Sequence, residues 1–527
     1  MTEAAPEEAV SATAGAGRST AIFAMWTAVS RVVGLVREIG AAALYGTKGP
    51  IAAFVVAFQV PNLLRSLVAD AALSAAFVPV FTELDEQGRK EEARRLAGAF
   101  VGLISLVLGL LTFVAVVTAP WVMPLFAPGL SHSLQGDLVG LSQVMFPIVV
   151  LLGLTGLVMG ILQANNEFTA IAFVPVLWNA IIIVGLIFVT PVVSSDRKIY
   201  VYAVGILVGT VAQLLFLLPS LRGKGPFPLS LGRGNPYVRR VLELMLPVTI
   251  GLGLINFTLV INTYFAAHVS DESVRAIDAA FRLYILPQGI FSVAVSTVLF
   301  PAISRLAARG DIPGLRRAVS DGTRQIFFLL IPATIFLALL AEPITRMVFQ
   351  YGEFDAAATS LTSRSLLFFT VGLVFNGASL LLIRAFFSLK QPWIPTRISV
   401  ATLILNAVLD LVLSKAIGTG GIPLATSIAS FAGFIALAWM LERQLGGLDR
   451  RWLVDGFVRT AIAAVWLGAL AWATWDLLDE ALGRSVPGRI ISVGGAMVAG
   501  IVAYFSAARG LDIPEQRLMA RVVRSLR

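Results

Sequence analysis

The stretch AMWTAVSRVVGLVREIGAAALYG, residues 24–46, decides the fold. It is apolar over a length that can cross a bilayer, for which about 20 residues suffice. Yet Arg31, Arg37 and Glu38 lie inside it. Reading outward, apolar stretches of similar or greater length recur to the end of the chain, over 20–45, 51–81, 93–126, 134–163, 167–191, 197–220, 237–268, 274–305, 316–349, 357–388, 394–416, 420–445, 452–479 and 487–509. These spans predict an all-α polytopic membrane protein with about fourteen transmembrane helices. Composition agrees. Of 527 residues 57% are hydrophobic and 13% charged, and the mean hydropathy is +0.86. A water-soluble chain needs more charge to cover its surface.

The net charge of +9 would point to nucleic acid in a soluble protein. Its distribution points to membrane topology instead, with no nucleic-acid partner. Arg and Lys gather in alternate loops: Arg89, Lys90, Arg94 and Arg95; then Arg222, Lys224, Arg233, Arg239 and Arg240; then Arg305, Arg309, Arg316 and Arg317; then Arg443, Arg450 and Arg451. By the positive-inside rule these loops are cytoplasmic, and an even helix number puts both termini there as well. Residues 1–18 read as an acidic disordered tail and not as a signal peptide, since a basic start is missing. There is no cysteine, and His132 and His268 stand far apart, so thiol chemistry is excluded and a histidine metal site has no second ligand at short spacing. No Gly-rich loop ending in Gly-Lys-Ser/Thr is present, which disfavours an ATP-driven pump. No nucleophile–base set appears at membrane depth either, so an enzyme is not expected.

An internal repeat organises the helices. AAFVVAFQVPNLLR (52–65) parallels AAFRLYILPQGI (279–290), FVPVF (77–81) parallels LFPAIS (299–304), and APWVMPLF (119–126) parallels AEPITRMVF (341–349). Pro61, Pro79 and Pro120 thereby map onto Pro287, Pro301 and Pro343. Six helices separate the copies, which predicts two pseudo-symmetric six-helix lobes, 19–222 and 223–446, with a cavity between them. Residues 447–510 add two C-terminal helices outside the repeat, and 511–527 form a basic cytoplasmic tail. Pro61, Pro79, Pro287 and Pro301 are expected to break intrahelical hydrogen bonds.

Arginine at membrane depth is the chemical signal. Arg31 and Glu38, seven residues apart, share a helix face, and Arg65 follows Pro61 and Asn62 in the second span, with Asp70 beyond it. Arg282 stands near the repeat proline of the second lobe. Each arginine at the centre of a membrane helix costs about 2.5–3.5 kcal/mol on insertion scales. The group is therefore expected to face the bundle interior, water or an anion. Structural pairing with Glu38 and Asp70 is one reading. The cations outnumber the nearby acids, however, and a phosphorylated ligand suits the guanidinium fork. A second polar set lies in the other half: Asn406 and Asp410 four apart, Thr426 in the next helix, and Asn262 earlier. Its oxygens suit a hard cation such as Na⁺, or the carboxylate carries a proton; interhelical hydrogen bonding is the plainer reading.

SRVVGLVREIGAAALYG (30–46), AFVVAFQVPNLLR (53–65), FVPVF (77–81), INTYFAA (261–267), FRLYILPQG (281–289), FQYGEF (349–354) and RAFFSLKQPWIPT (384–396) together resemble the MurJ (MviN) lipid II flippase family of the multidrug/oligosaccharidyl-lipid/polysaccharide exporter superfamily. The resemblance runs in order over most of 20–445. It implies fourteen helices and movement of lipid II, the undecaprenyl-pyrophosphate-linked peptidoglycan precursor, to the outer leaflet of the bacterial plasma membrane. It implies no cofactor beyond Na⁺ as a coupling or structural ion, and it names lipid II, membrane lipids and the cell-wall synthesis machinery as partners. It also implies substrate-binding roles for Arg31, Arg37, Glu38, Arg65 and Arg282, and a sodium site at Asn262, Asn406, Asp410, Ile422 (through its carbonyl) and Thr426. Ala52, Ile285 and Asn262 stand where some members carry acids, and the last of these weakens the expectation of Na⁺. A flippase for another polyprenyl-linked glycan and a cation-coupled drug antiporter are the alternatives. An arginine-rich cavity disfavours the antiporter.

Overall fold

The computed structural model describes residues 25–27, 29–68, 71–165, 167–225 and 227–516, with backbone alone for 65–68, 71–75, 246–248 and 250–256. Among the described residues the regular structure is entirely helical, as the hydropathy pattern requires. Helix α1 covers 29–45. It is followed by α2 (Pro50–Val68), α3 (Ala71–Glu86), α4 (Lys90–Phe126), α5 (His132–Met145), α6 (Ile148–Ala164), α7 (Thr169–Val184), α8 (Lys198–Leu217) and α9 (Pro236–Val269). Then come α10 (Asp271–Pro287), α11 (Val293–Ala308), α12 (Ile312–Leu339), α13 (Ala341–Phe349), α14 (Ala356–Ser388), α15 (Trp393–Ile417), α16 (Gly421–Gln444), α17 (Arg450–Leu482) and α18 (Val486–Gly510).

Within the described residues ten stretches are long and apolar enough to cross a membrane, and Pro50–Leu64 and Phe257–Val269 are shorter apolar helices. The surface is apolar to match. Trp121, Leu125 and Val298 are among many large hydrophobic side chains left exposed. Water would penalise such a surface, whereas lipid tails accept it.

Local chemistry sets several helix starts. The side chains of Ser270, Asp311, Asp355, Asp449 and Ser485 each accept the backbone N–H three residues on, which satisfies a donor the first turn leaves over. Gly418 and Gly483, both at left-handed φ, stop α15 and α17. The four prolines, none of which has an N–H to donate, occupy two kinds of position. Pro61, Pro79 and Pro301 lie within α-helices, while Pro287 ends α10 and is followed by a π-helical turn over Gln288–Ser292.

The chain divides into two compact units, Met1–Thr263 and Tyr264–Arg527. The division falls within α9. In the first unit α3, α4, α6 and the start of α9 share a core of Phe77, Phe100, Leu157, Ile161 and Val241. The basic segment before α9 is laid against α4: a Cβ at Gly98 would stand 2.0 Å from the Pro228 carbonyl oxygen, and one at Gly102 2.2 Å from that of Ser230. Only glycine lets the two backbones approach so closely. Arg94 Nε donates to the Lys224 carbonyl at 3.2 Å and Lys224 pairs with Glu167 at 2.7 Å, which ties the segment down. In the second unit α14 packs on α10, α11, α12 and α16, while α17 and α18 pair with each other and dock on α12.

Candidate functional site

In the first unit the buried stripe of α1 carries Arg37, Glu38, Ala41 and Ala42, while Arg31, Val32, Leu35 and Val36 are exposed. Arg37 is 8% and Glu38 4% exposed. The two form an ion pair with each other, and the Arg37 guanidinium lies 4.8 Å from the ring centre of Trp178 on α7. Cation–π contact of this kind favours arginine because its planar cation is weakly hydrated. The Trp178 indole N–H donates to Thr210 Oγ1 on α8 at 3.2 Å, and that hydroxyl donates to the Ile206 carbonyl. Gly34 of α1 faces Asn179 of α7. The shared face of Arg31 and Glu38 read from spacing is not realised. Residues seven apart share a nominal face, but Glu38 is turned inward with its neighbour Arg37 and Arg31 is exposed.

Beside this network lies a cavity of about 180 Å³ lined by Phe58, Asn62, Trp178, Thr210, Gln213 and three aliphatic side chains. Arg65 is one turn beyond Asn62 on α2. Its side chain, and Asp70 entirely, fall outside the described residues.

In the second unit Arg282 does have an acid beside it. Asp278, one turn earlier on α10, accepts from Arg282 Nε at 3.1 Å and from Nη2 at 3.4 Å. The same carboxylate accepts from Arg275 Nη1 at 2.7 Å. The expectation that the arginines outnumber nearby acids overlooked this partner. Spacing could have exposed it, because 275, 278 and 282 recur at helical intervals on one face. A further buried arginine, Arg324 on α12, is 1% exposed. Glu515 takes its Nε at 2.5 Å, the Trp452 carbonyl takes its Nη1 at 2.9 Å, and the Trp452 ring lies 3.7 Å away. The lone arginine in TRQIFFLLIP (323–332) was the signal for it.

Asn406 and Asp410 are buried on α15, and Asn406 Nδ2 reaches Thr426 Oγ1 of α16 at 3.4 Å. Thr426 Oγ1 in turn donates to the Ile422 carbonyl at 3.3 Å. Amide, carboxylate, hydroxyl and main-chain oxygen thus lie on two packed helices, a donor set that fits a hard cation. Asn262 is also buried but belongs to the other unit.

Helices throughout the described residues, with an apolar exterior and ion pairs buried among them, are the build of an integral membrane protein. The family model for the lipid II flippase MurJ matches residues 41–481. The chain belongs to that family. The lipid II flippase of Burkholderia cenocepacia is 30% identical over 489 residues, covering 91% of this chain and 94% of that one. A probable lipid II flippase of Bdellovibrio bacteriovorus is 30% identical over 505 residues, covering 93% and 94%. Among solved structures, a lipid II flippase in an inward closed conformation superposes with a TM-score of 0.78 at 24% identity, covering 92% of this chain and 97% of that one. An inward-facing multidrug resistance transporter of the MATE family gives 0.63 at 15% identity, covering 80% of this chain and 95% of that one. The last two likenesses concern the fold.

Proposed function

We propose that this protein carries lipid II from the cytoplasmic to the outer leaflet of the bacterial inner membrane by alternating access, with both termini in the cytoplasm. Its membership of the lipid II flippase family, over 41–481, carries the reading. The physical problem is the pyrophosphate. A bare anion does not enter hydrocarbon, so side chains must replace its water. In this reading Arg31, Arg37, Arg65 and Arg282 are the headgroup-binding residues, and Glu38 holds Arg37. Guanidinium suits the task because its fork donates to two phosphate oxygens at once. The polyprenyl tail stays in lipid along α17 and α18. Enzymes of cell-wall synthesis use the product on the far side.

Na⁺ held by Asn406, Asp410, Thr426 and the Ile422 carbonyl, with Asn262, serves in this proposal as the coupling or structural ion. The chemistry it supplies is a positive charge beside a buried carboxylate. The deciding experiment measures lipid II translocation in intact cells, comparing wild type with Arg→Ala at each of the four positions. Loss at each position supports the reading, and full transport in all four sinks it. Depletion is expected to accumulate lipid II. Normal peptidoglycan with lost surface polysaccharide would mark a flippase for a different polyprenyl-linked glycan.

A further inference from the structure

Arg275, Asp278 and Arg282 stand on one face of α10 and become steadily more open. Their side chains are 2%, 15% and 35% exposed. Asp278 Oδ2 is shared: Arg275 Nη1 lies 2.7 Å from it and Arg282 Nε 3.1 Å. The backbone beneath them is fixed. Phe281 and Tyr284, which flank Arg282 on α10, both pack on Phe369 of α14, with ring centres 5.7 and 5.2 Å away. At the start of the helix Ser273 Oγ lies 2.6 Å from Thr419 Oγ1, ahead of α16. Such packing holds the backbone of this face in place.

We infer that Asp278 is an affinity-setting counter-ion: its carboxylate, shared between Arg275 and Arg282, competes with an incoming phosphate for Arg282 and keeps the headgroup releasable. The inference rests on the reading of Arg282 as a headgroup-binding residue and adds to it the two residues that tune that arginine. The Nε–Nη2 edge of Arg282 faces Asp278, so a phosphate either meets the end-on edge close to a negative charge or displaces Asp278. Both routes weaken anion binding, since like charges in a poorly screened site repel. Arg275 limits that effect. Drawing on the same oxygen, it loosens the hold of Asp278 on Arg282. A carrier gains from such moderation because a headgroup bound too tightly is not let go.

Opposite signs follow for the two substitutions. Asp278→Asn removes the competitor, so lipid II binds about tenfold tighter, the effect of roughly 1.4 kcal/mol, and turnover falls. Arg275→Met leaves Asp278 to Arg282 alone, so binding weakens. A purely structural triad loses affinity and thermal stability in both variants.

The experiment titrates lipid II into purified full-length protein in nanodiscs, for wild type, D278N, D278E, R275M, R275K and R282A. Thermal midpoints check the fold, and translocation rates are measured alongside. Tighter binding in D278N with weaker binding in R275M, and near-wild-type values in D278E and R275K, support the inference. Unchanged or weaker binding in folded D278N overturns it. If R282A binds and translocates lipid II like wild type, the headgroup reading itself is what fails. Should R275M not fold, the sign of the D278N change still decides.

Discussion

Arg324 and Glu515 lie 191 residues apart and meet side-on, Nε to Oε1 at 2.5 Å and Nη2 to Oε2 at 3.3 Å. The pair is buried, and it joins α12 to the segment that follows α18. Asp455 of α17 comes within 3.8 Å of the same guanidinium, and Trp452 stacks on it. Gly456 leaves the room, because a Cβ there would stand 2.6 Å from Arg324 Nε. The clamp adds to the packing of α17 and α18 on α12, where the Tyr504 hydroxyl also donates to the Phe328 carbonyl at 2.6 Å.

Breaking this clamp on one side strands a buried charge, which costs about 3–5 kcal/mol. Arg324→Met and Glu515→Gln are expected to lower the thermal midpoint in detergent sharply. The double change Arg324→Met with Glu515→Leu should recover much of the loss, since a matched apolar pair carries no desolvation cost. Equal midpoints for single and double variants would count against the clamp.

Arg37 depends on shape as much as charge. Arg37→Lys keeps the cation but loses the planar contact with Trp178 and the fork. It should impair lipid II translocation nearly as strongly as Arg37→Ala, at equal protein levels in the membrane. Trp178→Leu should cost about 0.5–2 kcal/mol of stability through the lost cation–π contact. Translocation by R37K at the wild-type rate would show that charge alone suffices.

The contact of the 227–232 segment with α4 predicts a position-specific glycine effect. Gly98→Ala should destabilise by roughly 1–3 kcal/mol, the usual range for overpacking, because its Cβ meets a backbone oxygen that has no side-chain freedom to move. Gly109→Ala on the same helix meets nothing within 4 Å and should gain slightly from helix propensity. Comparing the two by thermal unfolding separates the close approach from a general effect of glycine.

If Na⁺ binds among Asn406, Asp410 and Thr426, NaCl should raise the thermal midpoint relative to an equal concentration of choline chloride, by mass action on the folded state. Asp410→Asn should abolish that difference, and Thr426→Ala should reduce it. A midpoint that does not distinguish Na⁺ from choline in the wild type removes the ion from the scheme.

Sequence by itself determined what local physics controls. The apolar spans fell on helices because a chain in lipid must satisfy its backbone internally. The caps Asp311, Asp355 and Asp449 are local as well, each side chain accepting the N–H three residues on, and arginine within an apolar run marked residues that need partners. Which partner each one takes was decided by the tertiary structure. Glu38 turned to its neighbour Arg37 under Trp178 instead of to Arg31, because α7 and α8 enclose that side of α1. Asp278 was within reach of Arg282 by spacing alone, but only packing against α14 shows how deeply Arg275 is buried beside it. Glu515, in a chain position that hydropathy reads as tail, is the partner of the most deeply buried of these arginines. Periodicity reports the face a residue occupies on its own helix, whereas a salt bridge is settled by which other helix comes to cover that face.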